Sequence, residues 1–188
     1  GVKMPQDSMI RLMKGPKGSK VKITVNRDGT LIPFDIIRDK IPVHCVDAAF
    51  MIDQTTGYIK LSKFTRTTYK EFSEASEKLL GMGMKRLIFD LRDNTGGYFD
   101  QSWKLANEFL ERGDEVVYME GLHRPRQDFD ADGRGRMKDI EISVLIDEGT
   151  ASSSEIFSGA IQDNDRGIIV GRRSFGKGLV QEPINFTD

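Results

Sequence analysis

Cysteine, histidine and tryptophan are scarce in this sequence: the 188 residues hold one cysteine (Cys45), two histidines and one tryptophan. A lone cysteine excludes an internal disulfide framework and a cysteine-based zinc site. It leaves the redox compartment open, because disulfides are not obligatory in exported proteins. His44 falls in an expected strand and His123 in a polar connection, and neither sits in a pattern that marks a catalytic base. No apolar run approaches the ~20 residues needed to span a bilayer. An excess of one charge is missing too: 28 Lys+Arg against 29 Asp+Glu gives a net charge of −1. That balance offers no footprint for nucleic acid or an anionic membrane. Repeats and low-complexity tracts are absent.

What remains is ordinary globular composition, 38% hydrophobic and 30% charged. A chain of this length buries roughly two-thirds of its unfolded surface. Residues 5–13 have a short helical pattern with Asp7 as the expected cap, and Gly15-Pro16-Lys17-Gly18 ends it. Val21, Ile23 and Val25 alternate as a strand. Asp28-Gly29 signals a hairpin turn before a second strand over 31–38. Residues 41–52 read as a strand broken near Asp47, and 58–64 as another. Beyond them helix and strand alternate. A helix ends at Gly81 or Gly83, followed by a dense apolar strand over 86–91. A helix over 99–112 stops at Gly113. Strands at 116–119 and 142–147, a helix over 153–165 and a strand at 168–170 complete the pattern. Such alternation predicts an α/β core with parallel pairings.

One constellation carries chemistry. Gly149-Thr150-Ala151-Ser152-Ser153-Ser154-Glu155 lies between a buried strand and a helix. A serine at such a junction projects its hydroxyl where the first helical N–H groups also point, a favourable place for an oxyanion. The same residues form a capping box, Ser152-x-x-Glu155, which needs no catalysis. Lys177, in Ser174-Phe175-Gly176-Lys177-Gly178, follows Ser152 by 25 residues. A helix of about 12 residues carries the chain roughly 18 Å away. About 7 extended residues return it roughly 23 Å, so the tip bearing Lys177 comes back beside Ser152. A serine needs a base, and an enclosed lysine can act as one in its neutral form; the alternative is an exposed loop lysine. Gly96-Gly97 follows the 86–91 strand. It serves either as one arm of an oxyanion hole or as a plain strand-to-helix turn.

Taken in order, Leu91-Arg92-x-Asn94-x-Gly96-Gly97, Gly149-x-Ala151-Ser152-x-Ser154-Glu155-Ile156, Gln162-Asp163, Val170-Gly171 and Phe175-Gly176-Lys177-Gly178-x-Val180-Gln181 closely resemble the carboxyl-terminal processing (tail-specific) serine peptidases. The resemblance covers about residues 40–188. It implies a ClpP/crotonase-like α/β peptidase core over 41–188, with Ser152 as nucleophile, Lys177 as base and Gln181 orienting the lysine. It further implies oxyanion donors from the Gly96-Gly97 turn, Gly97 foremost, and from the Ser153 N–H, with Asp163 at a supporting position. The family's usual alanine is replaced by Ser153. Residues 1–40 resemble the C-terminal half of a PDZ-like domain, a partial β-rich segment. On this comparison the chain is truncated at both ends. The resemblance implies no cofactor and no metal. It implies polypeptide substrates with free carboxyl termini, an exported, periplasmic or membrane-associated location of bacterial type, and room for a homo-oligomer.

Two decoys compete. Asp128-x-Asp130-x-Asp132-Gly133 imitates a calcium loop but lacks its bidentate glutamate, and Arg134 and Arg136 crowd it. Gly15-Pro16-Lys17-Gly18-Ser19-Lys20 has the wrong spacing for a phosphate loop and precedes a strand. Two other functions compete as well: a non-catalytic peptide-binding scaffold on the same fold, and an acyl-CoA enzyme on a related one. The second gives no reason for the Ser–Lys pair.

Overall fold

The computed structural model describes residues 4–39 and 44–181. The chain divides into two units, Gly1–Val43 and His44–Asp188.

The first unit holds α1 (Gln6–Met13) and an antiparallel hairpin of β1 (Lys20–Arg27) and β2 (Thr30–Ile37). Asp28 and Gly29 make the turn with positive φ at both positions, as an Asp-Gly hairpin requires. Pro5, not the expected Asp7, caps α1, and Asp7 lies in the first turn. Arg38 ties the unit together, donating from its guanidinium to the carbonyls of Leu12, Met13 and Lys20.

The second unit is built on a five-stranded sheet in the order β3 (Val46–Met51), β4 (Thr56–Leu61), β5 (Arg86–Asp90), β8 (Glu141–Ile146) and β9 (Gly167–Gly171). β3 pairs antiparallel with β4, with a register shift between Val46 and Ala48 where the sequence pattern breaks at Asp47. The remaining pairings are parallel. Residues 41–43 of the expected strand lie outside the described residues. The connections run through α2 (Thr68–Gly81), α3 (Phe99–Asn107) and α4 (Ser153–Asp163). Because each parallel strand lies next to its predecessor on the same side, right-handed crossovers bring these helices to one face. Phe72 of α2, Phe89 of β5, Phe109 and Phe157 of α4 form a closed circuit of ring contacts there, with centroids 5.0–6.1 Å apart. All four are fully buried. The α/β class expected from the alternation is therefore the class that forms.

Strand register places Phe50, Tyr58, Ile88, Ser143 and Ile168 on the opposite face. There Phe50 and Ile168 are exposed.

Two segments differ from expectation. α3 ends at Asn107 instead of running to 112, because Glu108 and Phe109 turn inward through N–H bonds to Leu105 and Ala106. Glu108 then accepts from the Tyr69 hydroxyl and the Arg136 N–H. The stretch around Asp128 is a strand, β7 (Arg124–Asp130), paired antiparallel with β6 (Glu115–Gly121). Its acids have protein partners: Asp128 takes Arg126 and Asp132 takes Asn107. Among the described residues no helix is long and apolar enough to cross a membrane.

Candidate active site

The site lies where β5 and β8 end. Parallel strands leave their carboxyl ends on one side of the sheet, and the loops that follow them meet there. Asp90 and Asp147 organise the two loops. Asp90 is fully buried and accepts from Tyr58 Oη at 2.6 Å and from the Arg92 guanidinium at 2.6 Å. Burial opposes its charge, but the hydrogen bonds from Arg92 and Tyr58 prevail and hold the carboxyl down at about 2. Asp147 accepts the N–H groups of Asp93 and Gly149 at 2.9 and 3.0 Å. Burial again works against the charge, and those bonds overcome it and lower its pKa.

Asn94, fully buried, joins the loops directly. Its carbonyl accepts the Ala151 N–H at 2.9 Å and Ser154 Oγ at 3.0 Å. Its side chain donates to the Leu61 carbonyl and accepts the Gly96 N–H. Gly96 and Gly97 take φ values of +90° and +147°. Both must be glycine. A Cβ on Gly96 would lie 2.6 Å from the Ala151 carbonyl oxygen, and one on Gly97 would lie 2.0 Å from that of Phe64. Ser153 donates from Oγ to the Gly97 carbonyl at 2.9 Å and so links the two turns. Among the described residues neither the Gly97 N–H nor the Ser153 N–H donates to a protein acceptor.

Ser152 caps α4 with φ 57° and ψ −118°, a positive-φ conformation uncommon outside glycine. Its N–H donates to Glu155 Oε2 at 2.8 Å. The chain then returns along β9, and residues 174–177 come back against the same turn. Phe175 N–H reaches the Thr150 carbonyl at 2.9 Å.

Ser152, Ser153, Gly96, Gly97, Lys177 and Gln181 all line one open cleft of about 780 Å³. Val117, Tyr118, Met119, Ile156, Leu179 and Val180 give it an apolar wall. Lys177 is partly buried and Gln181 exposed. Among the described residues no hydrogen bond joins Ser152 Oγ to Lys177 Nζ. Asp163 stands apart: it is exposed at the far end of α4, about 15 Å along the helix from the serine.

Asp147 organises the second loop although the sequence reading gave it no role; its signal was a polar side chain directly following the apolar strand β8.

A serine at a helix start, beside two N–H groups that have no protein acceptor among the described residues, is thus set on an α/β core. The chain belongs to peptidase family S41, whose sequence profile matches residues 55–188. It is 34% identical over 185 residues to a "Probable CtpA-like serine protease" of Staphylococcus saprophyticus, covering 98% of this chain and 37% of that protein. A protein of the same description from Staphylococcus aureus is 35% identical over 183 residues, 97% of this chain and 36% of its own. The chain thus spans a little over a third of the length of these relatives. Among solved structures it is similar to a photosystem II D1 C-terminal processing protease, with TM-score 0.68 and 28% identity over 89% of this chain and 47% of that one. A putative S41 protease from Bacteroides fragilis shares the fold at TM-score 0.64 and 17% identity, over 88% of this chain and 49% of that one.

Proposed function

We propose that this chain is the core of a serine endopeptidase in which Ser152 attacks and Lys177 serves as its base. The observation that carries this reading is the shared cleft: serine, lysine, Gln181 and two unpartnered N–H groups, those of Gly97 and Ser153, border one space. The neutral Lys177 amine accepts the hydroxyl proton as Ser152 Oγ bonds to a peptide carbonyl carbon. The Gly97 and Ser153 N–H groups hold the oxyanion. The protonated lysine then gives its proton to the leaving amine, and water releases the acyl group with Lys177 again as base. Gln181 orients the amine. Every step uses groups of this chain and needs no cofactor. The reaction requires Ser152 Oγ and Lys177 Nζ within hydrogen-bond reach in the peptide complex.

The cleft's apolar wall suits a polypeptide. The description of the structural relative as a C-terminal processing protease supports substrates cut near a carboxyl terminus; an exported compartment belongs to the same proposal. Residues 1–40, read as half of a PDZ-like domain, belong to a module that holds such termini by strand addition.

Ser152→Ala and Lys177→Ala in the full-length protein test the reading, with cleavage of an unstructured polypeptide as the measurement. Both variants should lose turnover and labelling by a serine-directed reagent. Wild-type turnover in either would overturn the dyad, whereas a parent protein with neither turnover nor labelling would leave the scaffold reading.

A further inference from the structure

Residues 174–181 carry Lys177 and one wall of the cleft, yet little packing holds them. Phe175 and Leu179 are 70% and 75% exposed, and the described part of the segment beyond Gly171 forms no strand or helix. Among the described residues, four hydrogen bonds leave this segment, and three of them end on one side chain. Glu155 Oε1 accepts Ser174 Oγ at 2.7 Å and the Gly176 N–H at 2.6 Å, while Oε2 accepts the Lys177 N–H at 2.9 Å. The fourth is Phe175 N–H to the Thr150 carbonyl. Glu155 Oε2 also takes the Ser152 N–H at 2.8 Å. One carboxylate therefore binds the backbone of both residues of the dyad.

We propose that Glu155 is a positioning residue that docks the lysine-bearing loop onto the serine turn, beyond its role as a helix cap. The inference rests on the Ser152–Lys177 reading. The chemistry favours a carboxylate specifically. Four donors converge on two oxygens, two on each, and only an ionised carboxylate offers acceptors on both sides. Burial opposes the charge on Glu155, and the bonds from Ser174, Lys177, Gly176 and Ser152 outweigh it.

Glutamine separates docking from capping. A capping box accepts glutamine as readily as glutamate at this position. The side-chain amide introduced by Glu155→Gln, whichever way it flips, turns an NH2 toward one of the two donor pairs. Full-length Glu155→Gln should lose on the order of 100-fold in kcat, the effect of a displaced catalytic group. Amide hydrogen exchange, read at residue level, should accelerate at Gly176 and Lys177 and stay slow at residues 157–161 of α4. Ser174→Ala, which removes one neutral donor, should lose less than about 10-fold. In the unmodified protein, Gly176 and Lys177 should already exchange more slowly than Gly178 and Leu179, a comparison that needs no variant. Equal exchange at these four amides, or E155Q with wild-type turnover and a protected loop, would overturn the docking role. So would E155Q that is inactive while its loop stays protected. An active Lys177→Ala would instead remove the dyad and leave the exchange result to decide the docking.

Discussion

Gly96 lies so close to Ser152 that a methyl group added to the glycine would sit 2.9 Å from the serine Cβ. The same methyl would lie 2.8 Å from the Ser153 nitrogen. Two turns from different strands are thus packed backbone to backbone, and the φ of +90° at Gly96 adds strain to any side chain there.

Gly96→Ala should therefore damage stability and activity together. We expect a loss of roughly 2–4 kcal/mol, lowering Tm by several degrees in a domain of this size. A blocked Ser153 N–H should also cost on the order of 100-fold in kcat. Gly97→Ala should be the less stable of the two, because its methyl meets the Phe64 carbonyl oxygen at 2.0 Å and opens the Phe64–Gly97 bridge. Thermal melts of both variants check the order; a Gly96→Ala protein as stable as the parent would contradict the close packing.

The backbone at Ser152 makes a prediction of opposite sign. With φ 57° and ψ −118°, a side chain at this position carries strain of about 1–3 kcal/mol, which glycine relieves. Ser152→Gly and Ser152→Ala should both be inactive. The glycine variant should nonetheless be the more stable, by about 1 kcal/mol after the greater entropy of its unfolded chain is counted. Chemical denaturation of the pair measures this directly, and a more stable alanine variant would argue against strain at the serine.

Asp90 gives the fold a pH dependence. Its folded pKa, about 2, lies below its ordinary value of 3.8. Stability from the ionised form is fully present above that ordinary value and is lost as pH falls through the folded one. Asp90→Asn removes the charge that Arg92 and Tyr58 bind and should cost roughly 2 kcal/mol at neutral pH. The gap in Tm between parent and variant should stay constant from pH 7 to about 5, then shrink as pH falls from about 4 toward 2. A gap unchanged at pH 2.5 would show that the carboxylate's charge is not what stabilises this corner.

The sheet strands were legible because their residues leave no alternative. Leu87, Phe89, Ile142 and Val144 are apolar, β-prone and buried, and their flanking turns are marked by Gly and Asp. The meeting of Ser152 with Lys177 in one cleft followed from counting residues along a helix and back along a strand. β7 was not legible. Arg-Pro-Arg-Gln-Asp-Phe-Asp has no alternation because the ribbon is exposed on nearly every position, so only pairing with β6 defines it. The true end of α3 was hidden as well. Glu108 looks like one more exposed helical residue until Tyr69 and Arg136 converge on it. Glu155 was legible as a cap, through its spacing from Ser152, but not as the acceptor for residues 174–177. A spacing of three reveals a local bond, whereas those partners are 19–22 residues away.

The order of the pieces along the chain has a consequence for biogenesis. Serine, helix, edge strand and lysine are synthesised in that sequence, and the lysine loop has nothing to dock on until α4 has formed and β9 has joined β8. Domains fold as units while synthesis proceeds. On the proposed Ser152–Lys177 dyad, a nascent polypeptide that has exposed only the serine turn would hold a nucleophile without its base, and would gain the means to cut neighbouring chains only once this part of the sheet is closed.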